Sequence, residues 1–233
     1  PGSISDAGWN ALAYDGLTAI KEELGAEISH IESRTPADQE EHFRSYALAG
    51  YDLIFGHGYE FQDAAKVVAQ EFPDAVFITT SGSTILNNVA PIVFELEEAT
   101  YLLGIIAGMM TKTDKIGAVG GQNIPSINST FMAFEGGVKA ANPLAEVRRA
   151  YVGDWENIGK AKEIALAQIN EKIDFIFHNA DAAGRGVFEA VEKARKLGKN
   201  IYCFGSNRDQ SEVSPTTILA SAVISSDSFV RVA

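Results

Sequence analysis

Cysteine is nearly absent from this chain. Its single example, Cys203, cannot form an internal disulfide, so the redox compartment is not readable from cysteine usage. Within the apolar run Ile201–Phe204 it reads as a small buried hydrophobe rather than a nucleophile. Long hydrophobic runs are missing as well, and no stretch reaches the roughly 18 apolar residues that a membrane-spanning helix needs. Basic residues are few, 19 against 31 acidic ones, for a net charge of −12. That balance argues against nucleic acid or anionic lipid as the main partner. The four histidines, His30, His42, His57 and His178, show neither HxH nor HExxH spacing, so no metal site is expected. No G-x-S-x-G elbow occurs. Gly117–Gly121 departs from G-x-G-x-x-G and lacks the acidic partner about 20 residues on, so no dinucleotide cofactor is expected either. Asp154, Asp181 and Asp209 are possible acids, but no two are spaced so as to fix their separation. Catalysis is unsupported, and the chain reads as a binding protein rather than an enzyme.

What is present is an alternation of short apolar strands and helices. The pattern predicts helices over 11–24, 37–49, 62–72, 97–110, 130–141, 158–170 and 186–197, with a further one starting at Asp227. Strands are predicted at 27–32, 51–55, 75–79, 115–119, 147–152, 173–177, 200–204 and 218–223. Strand, glycine-containing turn, helix, strand is the βαβ rhythm of a parallel sheet covered by helices. The length of 233 residues suits one large or two modest domains. We expect two α/β units joined at 92–97, and read the chain as a piece lacking a first strand and a C-terminal portion.

In such folds ligands bind beyond the carboxyl ends of the strands. The loops at those positions are 1–10, 56–61, 79–84, 120–128, 154–157, 179–186 and 205–210. They hold both tryptophans of the chain, Trp9 and Trp155, and many of its asparagines. Loops feeding helix N-termini also offer free backbone N–H groups. A single Trp after a turn reads as a core residue; two of them, each in a polar strand-end loop, read as a clamp for something flat.

Several stretches together resemble the basic membrane protein family, the substrate-binding lipoproteins of ABC transporters that include purine nucleoside receptors. Glu97–Gly104, Thr111–Thr113 and Lys115–Gly121 are similar to its central motif. Asp6-Ala-Gly-Trp-Asn10 with Gly16 resembles its D-x-S-F-N segment. Gly56–Phe61, Phe72–Asp74, Phe134–Gly137, Asn142-Pro143, Tyr151–Trp155 and Gly184–Phe188 continue the match in order.

The resemblance implies a type I periplasmic-binding-protein fold, with two Rossmann-like lobes and ligand in the interlobe cleft. It implies an N-terminal lobe of residues 1–94 plus 225–233 and a C-terminal lobe of 95–224. It also implies a periplasmic or extracytoplasmic location with an N-terminal lipid anchor, and a membrane permease as partner. In the family's purine receptors two aromatics, one per lobe, sandwich the base; the matching positions are Trp9 and Trp155, with Asn10 reading the base edge. The expected site comprises Asp6, Trp9, Asn10, Tyr59, Trp155, Asn179, Gly184 and Asn207.

Two positions depart from the family pattern. Asn207 stands for the aspartate of a V-D-x-D-Q segment, and Ile224 lies near a lysine position; both serve the sugar side of the ligand. Losing one charge of a buried pair would cost roughly 3–5 kcal/mol, whereas losing both together is coherent. The expected ligand is therefore a free purine base such as adenine, hypoxanthine or guanine. A nucleoside held by neutral contacts and a nucleoside- or sugar-processing hydrolase on a similar α/β core are the alternatives.

Overall fold

A computed structural model describes residues 1–233. It contains two parallel sheets and divides the chain into two compact units. The first comprises residues 1–5, 13–94 and 225–233, the second residues 6–12 and 95–224.

The first unit carries α1 (Trp9–Leu24, from Ala13 onward), α2 (Pro36–Leu48), α3 (Phe61–Val68) and α8 (Asp227–Val232). Its sheet has the order β1 (Leu53–Gly56), β2 (Val76–Thr80), β3 (Val89–Ile92). Thr35 and Asp38 form a reciprocal capping box that starts α2, with Pro36 in the first turn. The core is aromatic: Phe43 meets Phe61 and Phe77 at ring-centroid distances of 5.9 and 5.5 Å. Gly56 has no side chain for a reason of space, since a Cβ there would lie 2.6 Å from Phe43 Cζ.

Two expectations fail in this unit. Residues 27–32 are assigned to no strand and join neither sheet. Conversely β3 pairs with β2 where no strand was predicted. Pro91 is tolerated there because β3 is an edge strand, where one missing donor costs the sheet little.

The second unit orders its strands β5 (Glu146–Tyr151), β4 (Lys115–Gly120), β6 (Phe175–Asn179), β7 (Tyr202–Asn207), β8 (Ile218–Val223), all parallel. The central strands are buried on both faces, which is why they read as continuous apolar runs. One face carries Phe177 and Phe204 against Phe131 and Phe134 of α5 (Pro125–Ala141). The other carries Ile176 and Cys203, in a cluster with Val187, Phe188 and Val191 of α7 (Gly184–Lys196) and Ala161, Ala165 and Ile169 of α6 (Ile158–Asn170). Helix α4 (Glu97–Met110) packs on α5 at backbone distance. A Cβ at Gly104 would sit 2.0 Å from the Phe134 carbonyl oxygen, and one at Gly137 2.0 Å from that of Tyr101. Helix α5 begins at Pro125 rather than near Thr130, Pro being suited to a first helical turn.

Asp6–Leu12, expected with the N-terminal part of the chain, groups with the second unit. Backbone and side-chain hydrogen bonds to Asp181 and Gln210 hold it there.

Candidate functional site

The turn ahead of α1 is organised by one carboxylate. Asp6 Oδ1 accepts from the Gly8 and Ala11 amides at 2.9 and 3.0 Å. Asp6 Oδ2 accepts from the Asn10 amide and from Asn10 Nδ2, both at 2.8 Å. These contacts satisfy amides that a helix start leaves without partners. Both residues are 6% exposed, so the contacts are made in a dry setting.

A second carboxyl lies against the first. Asp181 opens the 3-10 turn Asp181–Ala183 that follows β6. Its Oδ1 accepts from the Trp9 amide at 3.1 Å and its Oδ2 from Asn10 Nδ2 at 3.2 Å. The other end of this turn donates the Ala183 amide to the Trp155 carbonyl at 2.8 Å. The backbones of both tryptophans are thus fixed to the same three residues. Trp155 lies over Gly121, where a Cβ would begin 2.2 Å from ring atom Cε3. Its loop is stiffened by Asp154 Oδ1, which accepts from the amides of Glu156 and Asn157, and by Gln122 Nε2, which donates to the Gly153 carbonyl. Both tryptophans are half-buried.

Burial opposes ionisation of Asp6, but its hydrogen bond with Asp181 and the three backbone amides outweigh that and hold it below the usual carboxylate range. Burial, and then the facing Asp6 carboxylate, push Asp181 well above it. The pair therefore shares one proton, carried by Asp181.

Beneath the pair, Gln210 ties three segments together. Its Nε2 donates to the Ala7 carbonyl at 3.3 Å, and its Oε1 accepts from the Ser206 amide at 3.0 Å. The same oxygen lies 3.2 Å from His178 Nε2, so that ring nitrogen carries the hydrogen. His178 is fully buried, and burial drops its pKa to about 4. Its ring packs edge-on against Phe188, so it is a neutral packing residue below the site.

Seven of the eight expected residues fall in the second unit; Tyr59, half-buried in the turn before α3, belongs to the first. Asn179 is buried at the end of β6, where its Nδ2 donates to Thr130 Oγ1 at 3.4 Å. Asn207 is buried and its carbonyl accepts from the Ile224 amide. Gly184 was expected to offer its N–H to a ligand, but that group donates back into the turn, to Asp181 and Ala182 carbonyls. Its bare Cα instead admits the His178 ring, which a Cβ would meet at 2.2 Å. Ala7, Asp181 and Asn207 adopt positive φ of 58°, 52° and 70°. Such conformations cost roughly 1–3 kcal/mol each for non-glycine residues and cluster where geometry is tightly determined.

Asp181 and Gln210 are the residues that sequence reasoning missed as site components. Asp181 stands 171 residues from Asn10, and no spacing rule connects them. No group of three or more His, Cys, Asp or Glu side chains gathers to hold a metal ion.

The family described as "ABC transporter substrate-binding protein PnrA-like" matches residues 1–232. A CD4+ T-cell-stimulating antigen of Listeria monocytogenes is 32% identical over 217 residues, covering 90% of this chain and 61% of that protein. The ABC transporter nucleoside-binding protein BmpA of Lactococcus lactis is 28% identical over 216 residues, covering 89% and 61%. An ABC transporter solute-binding protein from Aeropyrum pernix superposes with a TM-score of 0.92 at 26% identity, covering 100% of this chain and 67% of that one. The chain thus spans about 61% of the length of the curated relatives it matches first.

Proposed function

The chain belongs to the PnrA-like family of ABC transporter substrate-binding proteins, and from that premise we propose that it captures a purine outside the cytoplasm for a membrane permease. A lipid anchor is the expected tether. The observation that carries the ligand class is the 3-10 turn Asp181–Ala183, which holds the backbones of Trp9 and Trp155 together beside the side chain of Asn10. A purine is poorly hydrated on its faces and polar at its rim. Offset stacking contributes about 0.5–1.5 kcal/mol per ring beyond area burial. The Nδ2 groups of Asn10 and Asn179 are bonded within the protein, so their carbonyl oxygens are what they would turn to the rim, and a wrong base that leaves one unpaired loses about 1–3 kcal/mol. The nucleoside-binding name of the Lactococcus relative supports the same ligand class.

A free nucleobase is favoured over a nucleoside. Asn207 and Ile224 are both buried and carry no charge, so the pair that would serve a ribose has been lost as a pair. Titration of intrinsic tryptophan fluorescence with adenine, guanine, hypoxanthine and their nucleosides tests this. Saturation by a base at lower concentration than by its nucleoside supports both parts. Preference for the nucleoside keeps the clamp and removes the ribose argument. No response to any purine overturns the ligand class.

The paired carboxyls Asp6 and Asp181 raise the hydrolase alternative again. Its general base needs a lone pair directed at substrate or water. The oxygens of Asp6 are occupied by four N–H donors, and those of Asp181 accept from Trp9 and Asn10. Incubation with inosine should leave it intact by chromatography; appearance of hypoxanthine would revive the enzyme reading.

A further inference from the structure

Asp181 serves the site without being one of its expected ligand groups. Two carboxyls in hydrogen-bond contact at a buried position cannot both be ionised, and the donor count decides which one is. Asp6 meets four N–H groups at 2.8–3.0 Å, which favour its ionised form. Asp181 meets two, both longer, at 3.1 and 3.2 Å. Its proton therefore lies toward Asp6, while its oxygens accept from the Trp9 amide and the Asn10 side chain.

We infer that Asp181 is a positioning residue whose carboxyl latches the Asp6–Leu12 segment, and with it Trp9 and Asn10, onto the turn after β6. The inference rests on the purine-site reading only for the consequence to affinity; the latch itself stands on the contacts of the segment. When Asp181 loses its proton, two carboxylates face each other across the hydrogen bond that joined them, and the segment loosens.

The charge bearing on Asp181 is that of Asp6, from the turn ahead of α1. The buried residues of α6 and α7, the helices packed on this turn, are uncharged, and neighbouring Arg185 is exposed. From β6, His178 contributes a neutral ring bonded to Gln210. The folded protein thus holds a proton that the unfolded chain has released. The latch is complete below the ordinary carboxyl range and is lost as pH rises through the raised value of Asp181.

The test follows Trp9 emission in a Trp155→Phe background, without ligand, across roughly pH 5 to 9. Affinity for adenine and inosine is measured in the unsubstituted protein over the same range. We expect a shift of Trp9 emission toward that of an exposed indole as pH rises. Affinity should fall with it, by roughly tenfold per pH unit above the transition. Asp181→Asn, whose amide donates to Asp6 and whose oxygen accepts from Trp9, should abolish the transition in both signals. A transition that persists in Asp181→Asn, or a Trp9 signal flat with pH in the Asp181 protein, overturns the latch. A Trp9 transition with no purine binding at any pH keeps the latch and sinks the purine reading. Should Asp181→Asn not fold, exchange protection of the Trp9 amide in the unsubstituted protein decides. After correction for intrinsic rate it must fall with rising pH, and constant protection overturns the inference.

Discussion

The two units solve the same problem, that of holding the loops beyond their strands, with different chemistry. In the first unit the loop after β2 is held by a neutral amide: Gln62 Oε1 accepts from the Ser83 amide and from the hydroxyls of Ser83 and Thr84. In the second unit the same task falls to Asp6, Asp181, His178 and Gln210, three of them ionisable and all at least nine-tenths buried. Neutral contacts are insensitive to pH and individually weak, while buried ionisable ones are stronger and conditional on protonation state. The contacts of Asp6, Asp181 and His178 should therefore respond to pH, and those of Gln62 should not.

The largest expected effect tests the keystone of that contrast. Asp6→Ala leaves four N–H groups without an acceptor and should cost about 3–5 kcal/mol in chemical denaturation. A loss under about 1 kcal/mol would mean that water replaces the carboxylate and that the setting is not dry. Acid sensitivity comes next. His178 is neutral when folded, with a pKa of about 4 against an ordinary 6.5, so the unfolded chain binds the extra proton between those values. Stability is then lost as pH falls through that window, by an amount on the order of 3 kcal/mol. Urea midpoints at pH 7 and near pH 4.5 should diverge in the parent protein and converge in His178→Gln; equal divergence in both would move the acid response elsewhere. Trp155→Ala should weaken purine binding at least about tenfold, or roughly 1.4 kcal/mol, with folding retained. Unchanged affinity by calorimetric titration would remove Trp155 from the clamp. The smallest effect belongs to the first unit: Gln62→Ala should cost about 1 kcal/mol and show the same loss at pH 5 and pH 8. A pH-dependent loss there would dissolve the contrast between the units.

Much of the fold was legible because buried parallel strands announce themselves. Lys115–Gly120, Phe175–Asn179 and Tyr202–Asn207 are apolar runs that end in glycine or polar residues, and helices fill the intervals between them. The errors occurred where local pattern and partner availability disagree. Residues 27–32 look strand-like but join neither sheet, and Val89–Ile92 pairs despite its proline because an edge forgives one. The site was half legible. Trp9, Asn10 and Trp155 are visible as polar or aromatic residues in strand-end loops, but Asp181 was only one acid among several. What distinguishes it, a buried carboxyl opposite Asp6, exists only after residues 171 positions apart meet Asn10 and its turn. Gly184 shows the reverse case, a glycine expected to face a ligand whose bareness serves the packing of His178.

The shared anchoring of the two tryptophans carries a further implication. One three-residue turn receives the amide of Trp9 at one end and reaches the carbonyl of Trp155 from the other. The spacing of the two ring-bearing backbones is thus gauged by the length of a single short spacer, not by two loops adjusted separately. Lengthening that spacer by one residue would reset the gap in one step, with a 3-10 rise of about 2 Å. One small insertion between Asp181 and Ala183 would thus move the two tryptophan backbones apart with neither tryptophan replaced.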